Sequence, residues 1–207
     1  MFITFEGPEG AGKTTQISRV HDFLKNRGIS CIAVREPGGT NIGNRIRELL
    51  LDPKLNEMKQ RTEILLYAAS RTQLVEEVIL PELASGKVVL CDRYVDSSIA
   101  YQGYGANWNI DEVVTINQIA TGRVLPDRTY LLDIPVQFGQ KRLQIRGDQK
   151  DRIELKEKLF HTRVREGYLQ LAKEEPNRFQ YVDATGDVEE VYQQIIADLS
   201  LLLPIKE

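Results

Sequence analysis

The chain has 207 residues and a formal net charge of −3, from 27 lysines and arginines against 30 aspartates and glutamates. This length allows one sizeable core, and the absence of a basic run argues against a general nucleic-acid-binding protein. No apolar stretch is long enough to span a bilayer and the N-terminus lacks the pattern of a signal peptide, so we expect no membrane association. Cys31 and Cys91 fall inside predicted strands and indicate buried thiols in a reducing cytoplasm.

The first predicted elements are a strand, a glycine-rich turn and a helix. Residues 2–6 are mostly β-branched or aromatic, residues 7–14 fit the pattern G-x-x-x-x-G-K-[ST], and residues 16–24 carry apolar side chains at helical spacing. This order is the context that a phosphate-binding loop requires. Glycines let successive N–H groups point at one anion, Lys13 would reach the β- and γ-phosphates, and the Thr14 hydroxyl would bind Mg²⁺.

The remaining predicted elements alternate between strands and helices. We expect strands at 29–35, 88–91, 129–134 and 179–182, and helices at 41–51, 61–83, 97–101, 111–121, 135–145, 153–174 and 188–203. Pro81 should kink the long helix or begin a second segment, while Gly103, Gly105 and Asn107 should mark a loop. The alternation predicts an α/β fold, with a five-stranded parallel sheet covered by helices on both faces, in one domain spanning residues 1–207.

Charged residues follow the carboxyl ends of the predicted strands, where an open parallel sheet binds its ligands. They are Glu9 in the glycine-rich turn, Arg35, Glu36, Asp92, Arg93, Asp133 and Asp183. Asp92 closes an apolar strand, as does the Walker-B acid that helps to hold Mg²⁺. Arg93 and Arg71 could each clamp a second phosphate.

The segment 146–152 contains no apolar residue, so we expect it to lie at the surface and to be mobile. Its cations Arg146, Lys150 and Arg152 could close over a transferring phosphoryl group and exclude water. A plain solvated loop is an equal alternative from the residues alone.

The class of nucleotide-binding protein follows by comparison of motifs. A GTPase switch would need an Asn-Lys-x-Asp guanine reader, which the sequence lacks, and the loose D-x-x-G match at 183–186 comes after the fifth strand. A large mechanical ATPase would need a longer chain. A second phosphate site and a cationic lid favour a small kinase.

Five segments carry a family resemblance: residues 5–15, 35–39, 67–71, 92–98 and 100–103. In this order, and across essentially the whole chain, they resemble bacterial thymidylate kinase (dTMP kinase). The resemblance implies the three-layer α/β sandwich of P-loop nucleoside monophosphate kinases. It also implies transfer of the γ-phosphoryl group of ATP to dTMP, with Mg²⁺, in dTTP synthesis, and a homodimer formed through helices.

The resemblance also implies roles for individual residues. ATP would be bound by Gly7, Pro8, Glu9, Gly10, Ala11, Gly12, Lys13, Thr14, Thr15, Arg142 and Thr185. The acceptor dTMP would be bound by Glu9, Arg35, Glu36, Arg47, Tyr67, Arg71, Arg93, Ser98, Tyr101 and Gln102. Within this set Tyr67 would stack on thymine, Arg71 would bind the base, and Tyr101 would disfavour ribonucleotides. Mg²⁺ would be bound by Thr14 and Asp92, and catalysis would rest on Lys13, Arg93, Arg146, Arg152 and Glu9.

The subtype depends on where the catalytic cation lies. Some family members carry an arginine within the phosphate loop, where this chain has Gly10. The lid, at about 146–153, would then supply the charge, with Arg146 leading and Arg152 and Lys150 as alternatives. The runner-up functions are another nucleoside or nucleotide kinase and a non-catalytic nucleotide-binding protein.

Overall fold

The computed structural model describes residues 1–147 and 149–203, with the side chain of Arg146 outside the description. Five strands form one parallel sheet in the order β2-β3-β1-β4-β5. They are β1 (Phe2–Glu6), β2 (Cys31–Arg35), β3 (Val88–Asp92), β4 (Arg128–Asp133) and β5 (Phe179–Asp183). The predicted five-stranded parallel sheet is confirmed.

Helices cover both faces of the sheet. They are α1 (Lys13–Asn26), α2 (Asn41–Leu51), α3 (Gln60–Leu74), α4 (Leu80–Ala84), α5 (Val95–Ser98), α6 (Ile110–Thr121), α7 (Val136–Arg146), α8 (Lys158–Glu174) and α9 (Val188–Leu202). Side chains alternate across β1: Ile3 and Phe5 join a core with α1 and α9, and Phe2 joins a core with α3 and β3. This alternation produces the expected three-layer sandwich.

A π-helical turn, Val75–Ile79, joins α3 to α4. It precedes Pro81, which has no N–H to donate and whose ring would crowd the carbonyl one turn earlier in a regular helix. The wider turn accommodates the proline, so the long predicted helix continues, and its second segment begins at Leu80.

The loop predicted at Gly103, Gly105 and Asn107 is wrong for the two glycines, which lie in a second π-helical segment, Ile99–Gly105. Asn107 does lie in a turn, with a φ angle of 55°. At Gly105 the missing side chain permits close packing instead of a turn. A Cβ on Gly105 would lie 2.7 Å from Val164 Cγ2 and 2.9 Å from Phe160 Cε2, both on α8. The glycine therefore lets α8 press against the segment that carries Tyr101.

The helix predicted from residue 153 begins only at Lys158. The Asp151 carboxylate accepts hydrogen bonds from the backbone N–H groups of Ile153 and Glu154, at 2.9 and 2.8 Å, and so holds a turn there.

Of the two cysteines, Cys91 is buried as expected, whereas Cys31 is partly exposed on the edge strand β2; both are free thiols. Within the described residues, no helix has the length and apolar character to cross a membrane.

Candidate active site

The turn between β1 and α1 has the backbone of an anion-binding loop. Gly7 and Gly10 have φ angles of 138° and 75°, and a Cβ at either position would collide with a neighbouring carbonyl oxygen, at 2.2 and 2.4 Å. Lys13 opens α1 and folds back over the loop, where its Nζ donates to the carbonyl oxygens of Gly7 and Pro8, at 3.0 Å each. Burial, and then the nearby charge of Arg93, lower the pKa of Lys13 to about 8. An incoming phosphate would supply the negative charge that these groups lack.

Two side-chain oxygens meet beside this loop. The Thr14 hydroxyl donates to Asp92 Oδ2 at 2.7 Å, joining the first turn of α1 to the end of β3. Mg²⁺ is typically bound by one or two protein oxygens together with substrate phosphates and water. This pair of side chains fits that donor set.

Arg93 follows β3 in the left-handed backbone region, with a φ of 71°. A residue with a Cβ adopts this region at a cost of about 1–2 kcal/mol, and such strain is concentrated at functional sites. One guanidinium nitrogen lies 2.7 Å from Glu9 Oε1, which also accepts a hydrogen bond from the Tyr101 hydroxyl at 2.9 Å. The other nitrogen donates to the Gly7 carbonyl at 3.1 Å. Arg93 is thus fixed against the phosphate loop.

The charge of Glu9 is fixed by its neighbours. Burial alone would raise its pKa, but the positive charges of Arg93 and Lys13 lower it to about 2. Glu9 is therefore an anion across the physiological pH range, held between two cations at the base of the site.

A second buried ion pair lies deeper in the site. Arg71 on α3 is 1% exposed and forms a 2.6 Å ion pair with Glu36, which follows β2. The Arg71 guanidinium also donates to Ser98, to the Asn117 side chain and to the Tyr94 carbonyl. Burial raises the pKa of Glu36 although Arg71 opposes it, and Glu36 Oε1 has no hydrogen-bond partner among the described residues. Arg71 is therefore rigidly held before any ligand arrives.

One cavity of about 640 Å³ connects these groups. Of the predicted site residues it is lined by Glu9, Gly10, Gly12, Lys13, Thr14, Thr15, Arg35, Glu36, Arg47, Tyr67, Arg71, Asp92, Arg93, Ser98, Tyr101, Gln102 and Arg142. Its size lies within the range of sites for small molecules and cofactors. It extends from the phosphate loop to Tyr67 and Gln102, which gives it two distinct ends.

Other predicted residues lie beside the cavity. Gly7, Pro8 and Ala11 form the body of the phosphate loop. Thr185 is exposed. The loop that contains it is connected to the phosphate loop through Arg142, whose guanidinium donates to the carbonyls of Gly10 and Gly186, at 3.5 and 3.3 Å.

The lid cations take up different positions. The expectation that the whole segment 146–152 is a mobile surface loop is wrong for Arg152, which is 7% exposed and does not line the cavity. Its guanidinium pairs with Glu63 at 2.6 Å and donates to the Leu50 carbonyl at 2.8 Å, so the charge is neutralised within the protein. Lys150 lines a small adjoining cavity. The side chain of Arg146 falls outside the described residues.

Sequence reasoning missed several residues that shape the site. Ser97 lines the cavity, Asn117 and Glu63 hold Arg71 and Arg152, and Glu6 and Tyr168 lie behind Arg93. Glu6 did leave a signal, since it is a charged residue at the end of an otherwise apolar strand. The others depend on contacts between distant parts of the chain.

The class of protein follows from this arrangement. A parallel sheet, a phosphate loop after β1, an acid at the end of β3 and a cavity with room for a second ligand define a P-loop nucleoside monophosphate kinase. The family model described as thymidylate kinase matches residues 5–195. The chain is 50% identical over 206 residues to a thymidylate kinase of Exiguobacterium sibiricum, covering 100% of this chain and 97% of that protein.

Two further comparisons agree. A thymidylate kinase of Desulfosudis oleivorans is 48% identical over 205 residues, with 96% of each chain covered. A crystal structure of thymidylate kinase from Ehrlichia chaffeensis matches with a TM-score of 0.78 and 32% identity, covering 97% of this chain and 98% of that one. The chain belongs to the thymidylate kinase family. It is a kinase that transfers the γ-phosphoryl group of ATP to dTMP, giving dTDP and ADP.

Proposed function

We propose that phosphoryl transfer takes place in the cavity beside the phosphate loop, with ATP at the loop and dTMP at the deeper end. One observation carries this proposal: Arg93 contacts both Gly7 and Glu9 of the phosphate loop and also lines the cavity. A guanidinium at that point can stabilise charge on a group that passes from one end to the other.

The ATP end would use the loop from Gly7 to Thr15. Its backbone N–H groups and Lys13 would hold the β- and γ-phosphates, and Thr14 with Asp92 would hold Mg²⁺. When bound, the metal would neutralise charge on the phosphate oxygens. Arg142 and the loop at Thr185 would hold the adenine, supported by the contacts of Arg142 to both loops.

The dTMP end would be formed by side chains from several elements. Tyr67 would stack on thymine, and Arg71, Ser98 and Gln102 would read its polar edge. Arg93 would contact the phosphate, Arg35 and Glu36 would shape the phosphate side of the site, and Arg47 would line the pocket. The sugar would meet Glu9 and Tyr101. The support is that all of these side chains line one cavity and that Arg71 is already fixed by Glu36.

The reaction would be an in-line displacement that needs no general base. A phosphate monoester, with a second pKa of about 6, is already an anionic nucleophile at neutral pH. The protein's part is to align the two phosphates, to supply Lys13 and Arg93 as fixed positive charge, and to exclude water as a competing acceptor.

The segment 146–153 would act as the lid of a single domain. Arg146 remains our lead catalytic cation, with Arg152 and Lys150 behind it. For Arg152 to reach the moving phosphoryl group, its guanidinium would have to leave Glu63 and Leu50, so lid closure would exchange one ion pair for another.

We also propose a homodimer in the cytoplasm. Helix α3 packs against α2 and α6, and large apolar side chains on these helices are exposed, among them Leu49, Leu65 and Ile119. Such side chains are typical of a face that a second copy covers. The free thiols Cys31 and Cys91 are compatible with a reducing compartment.

The direct test is an acceptor panel. ADP release is followed with ATP, Mg²⁺ and, in separate reactions, dTMP, dUMP, thymidine, AMP and GMP. We expect the highest kcat/KM for dTMP. A preference for thymidine would indicate a nucleoside kinase, and no turnover with any acceptor would indicate a nucleotide-binding protein without this activity.

The metal site has its own test. Removal of divalent cations with EDTA should abolish ADP release, and added Mg²⁺ should restore it. Asp92→Asn should raise the Mg²⁺ concentration needed for half-maximal turnover, because one anionic oxygen is lost. An unchanged Mg²⁺ requirement in this variant would remove Asp92 from the site.

A further inference from the structure

A buried carboxylate at the end of β1 has no role in the proposed site. Glu6 is 0% exposed, and three donors point at it. Its Oε1 accepts from the Tyr94 backbone N–H at 2.7 Å, and its Oε2 accepts from the Ser97 hydroxyl at 2.6 Å and the Tyr168 hydroxyl at 2.9 Å. Burial, and then the nearby carboxylate of Asp96, raise the pKa of Glu6 to about 7. Burying a carboxylate destabilises the folded state, so stability alone does not explain why Glu6 occupies this position.

The same two hydroxyls also contact Arg93. One guanidinium nitrogen of Arg93 donates to the Tyr168 hydroxyl at 3.1 Å and to the Ser97 hydroxyl at 3.3 Å, while the other nitrogen contacts Glu9. The hydroxyls therefore lie between a buried anion and the cation of the active site. Glu9 contacts one edge of the guanidinium directly, whereas Glu6 is connected to the opposite edge through the Ser97 and Tyr168 hydroxyls.

We propose that Glu6 is a positioning residue for phosphoryl transfer, which fixes the guanidinium of Arg93 through the hydroxyls of Ser97 and Tyr168. This inference rests on the proposed function, because it assumes that Arg93 acts on the transferred group. Glu6 does not line the cavity, and its hydrogen-bonded connection to the site runs through Arg93.

The direction of the hydrogen bonds gives the physical reason. An ionised carboxylate only accepts, and the Ser97 and Tyr168 hydroxyls also contact each other at 2.7 Å. Their two protons are therefore shared between Glu6 and that contact, and their remaining lone pairs accept from the N–H groups of Arg93. An uncharged amide in the same place would donate from one atom. A hydroxyl proton would then turn toward Arg93, and two donors would face each other. The ionised form of Glu6, which predominates above its pKa of about 7, is thus needed in addition to its shape.

The chain offers a matched control for this arrangement. Tyr130 is 0% exposed, like Tyr168, and its hydroxyl also contacts a carboxylate, Asp198 Oδ2 at 2.9 Å. No contact joins Tyr130 to Arg93 among the residues that the structure describes. Removing either hydroxyl should therefore cost stability to a similar extent, but only Tyr168 should affect catalysis.

The test is a double-mutant cycle on the full-length enzyme. Glu6→Gln keeps the shape and removes the charge, and is measured with dTMP and ATP in the wild-type and Arg93→Ala backgrounds, at a pH above the Glu6 pKa of about 7. In the wild-type background we expect kcat to fall about 10–100-fold, the cost of a small misplacement of a catalytic group, with KM for ATP changed by less than about threefold. In the Arg93→Ala background the same substitution should change kcat by less than about twofold.

Two hydroxyl variants keep the proposal testable if Glu6→Gln does not fold. Tyr168→Phe should lower kcat several-fold in the wild-type background only, and Tyr130→Phe should leave kcat unchanged. The proposal is overturned if Glu6→Gln or Tyr168→Phe lowers kcat by the same factor in both backgrounds, or if the folded variants have wild-type kcat. A failure of the proposed function is distinct, because Arg93→Ala alone would then keep a kcat near that of the wild type.

Discussion

At the level of single residues, charged side chains of the candidate active site form ion pairs before any substrate binds. Glu9 and Arg93 are 2.7 Å apart, and Glu36 and Arg71 are 2.6 Å apart. The two charges of such a pair attract each other but lose their hydration, so the pair contributes only modestly to stability. Removing one partner is destabilising, because the other charge is then left without a partner away from water. We propose that their value is geometric, because each cation would already be in place when a phosphate or base binds.

The pairing of Glu9 predicts a specific pH dependence of stability. Its pKa is lowered from the ordinary 4.5 to about 2 in the folded chain, so its contribution is present above pH 4.5 and is lost as pH falls toward 2. Glu9→Gln should therefore be less stable than wild type by up to about 3 kcal/mol near pH 6, and the deficit should shrink by pH 3.5. Urea unfolding of both proteins at the two pH values measures this, and a deficit independent of pH would contradict it.

At the level of elements, local sequence signals predicted most helices and strands. Helix α2 matches the predicted 41–51 at both ends, and the Thr40 hydroxyl caps it by accepting from the Gly43 N–H at 2.9 Å. Residues 97–101 are helical as predicted, but the loop predicted at Gly103 and Gly105 is wrong, because glycines usually mark loops. Gly105 instead packs against α8, which is more than 50 residues further along the chain and leaves no trace in the local pattern.

Gly105 gives a prediction at this scale. Gly105→Ala would place a Cβ 2.7 Å from Val164, so it should destabilise the protein by about 1–3 kcal/mol through overpacking. Gly103→Ala is the matched control in the same segment, with its nearest contact at 3.3 Å from Ile110, and should be close to neutral. Equal free energies of unfolding for the two variants would show that α8 does not press on this segment.

At the level of the whole molecule, the strand order places the ends of β3 and β4 on either side of the phosphate loop. The rule that ligands bind at the carboxyl ends of parallel strands predicted, even without the strand order, that charged residues such as Asp92 and Arg93 converge on the cavity. Two others do not line it: Asp133 pairs with Arg165, and Asp183 bonds to Thr185. The rule could not predict partners such as Glu6 and Tyr168, which are 162 residues apart in the chain. It also could not predict that Arg152 is paired with Glu63. Those contacts arise only when the whole chain packs.

The proposed homodimer is tested by introducing a charged side chain into its proposed interface. Leu65 on α3 is 52% exposed, and Leu65→Arg should convert the dimer to a monomer in sedimentation velocity experiments, because an arginine would face apolar side chains of the partner. Leu201, 86% exposed on α9, provides a control, and Leu201→Arg should leave the dimer intact. A wild-type protein that sediments as a monomer would contradict the proposed dimer.

The central claim is that the cavity around Arg93 is where the phosphoryl group moves. The most direct measurement is kcat for ADP release with saturating dTMP and ATP in Arg93→Ala, beside Arg19→Ala. Arg19 is also an arginine paired with a glutamate, Glu189, but it lies between α1 and α9 and does not line the cavity. We expect kcat to fall by about 10²–10³-fold in Arg93→Ala and to stay near the wild-type value in Arg19→Ala. Near-normal turnover of a folded Arg93→Ala enzyme would contradict the account.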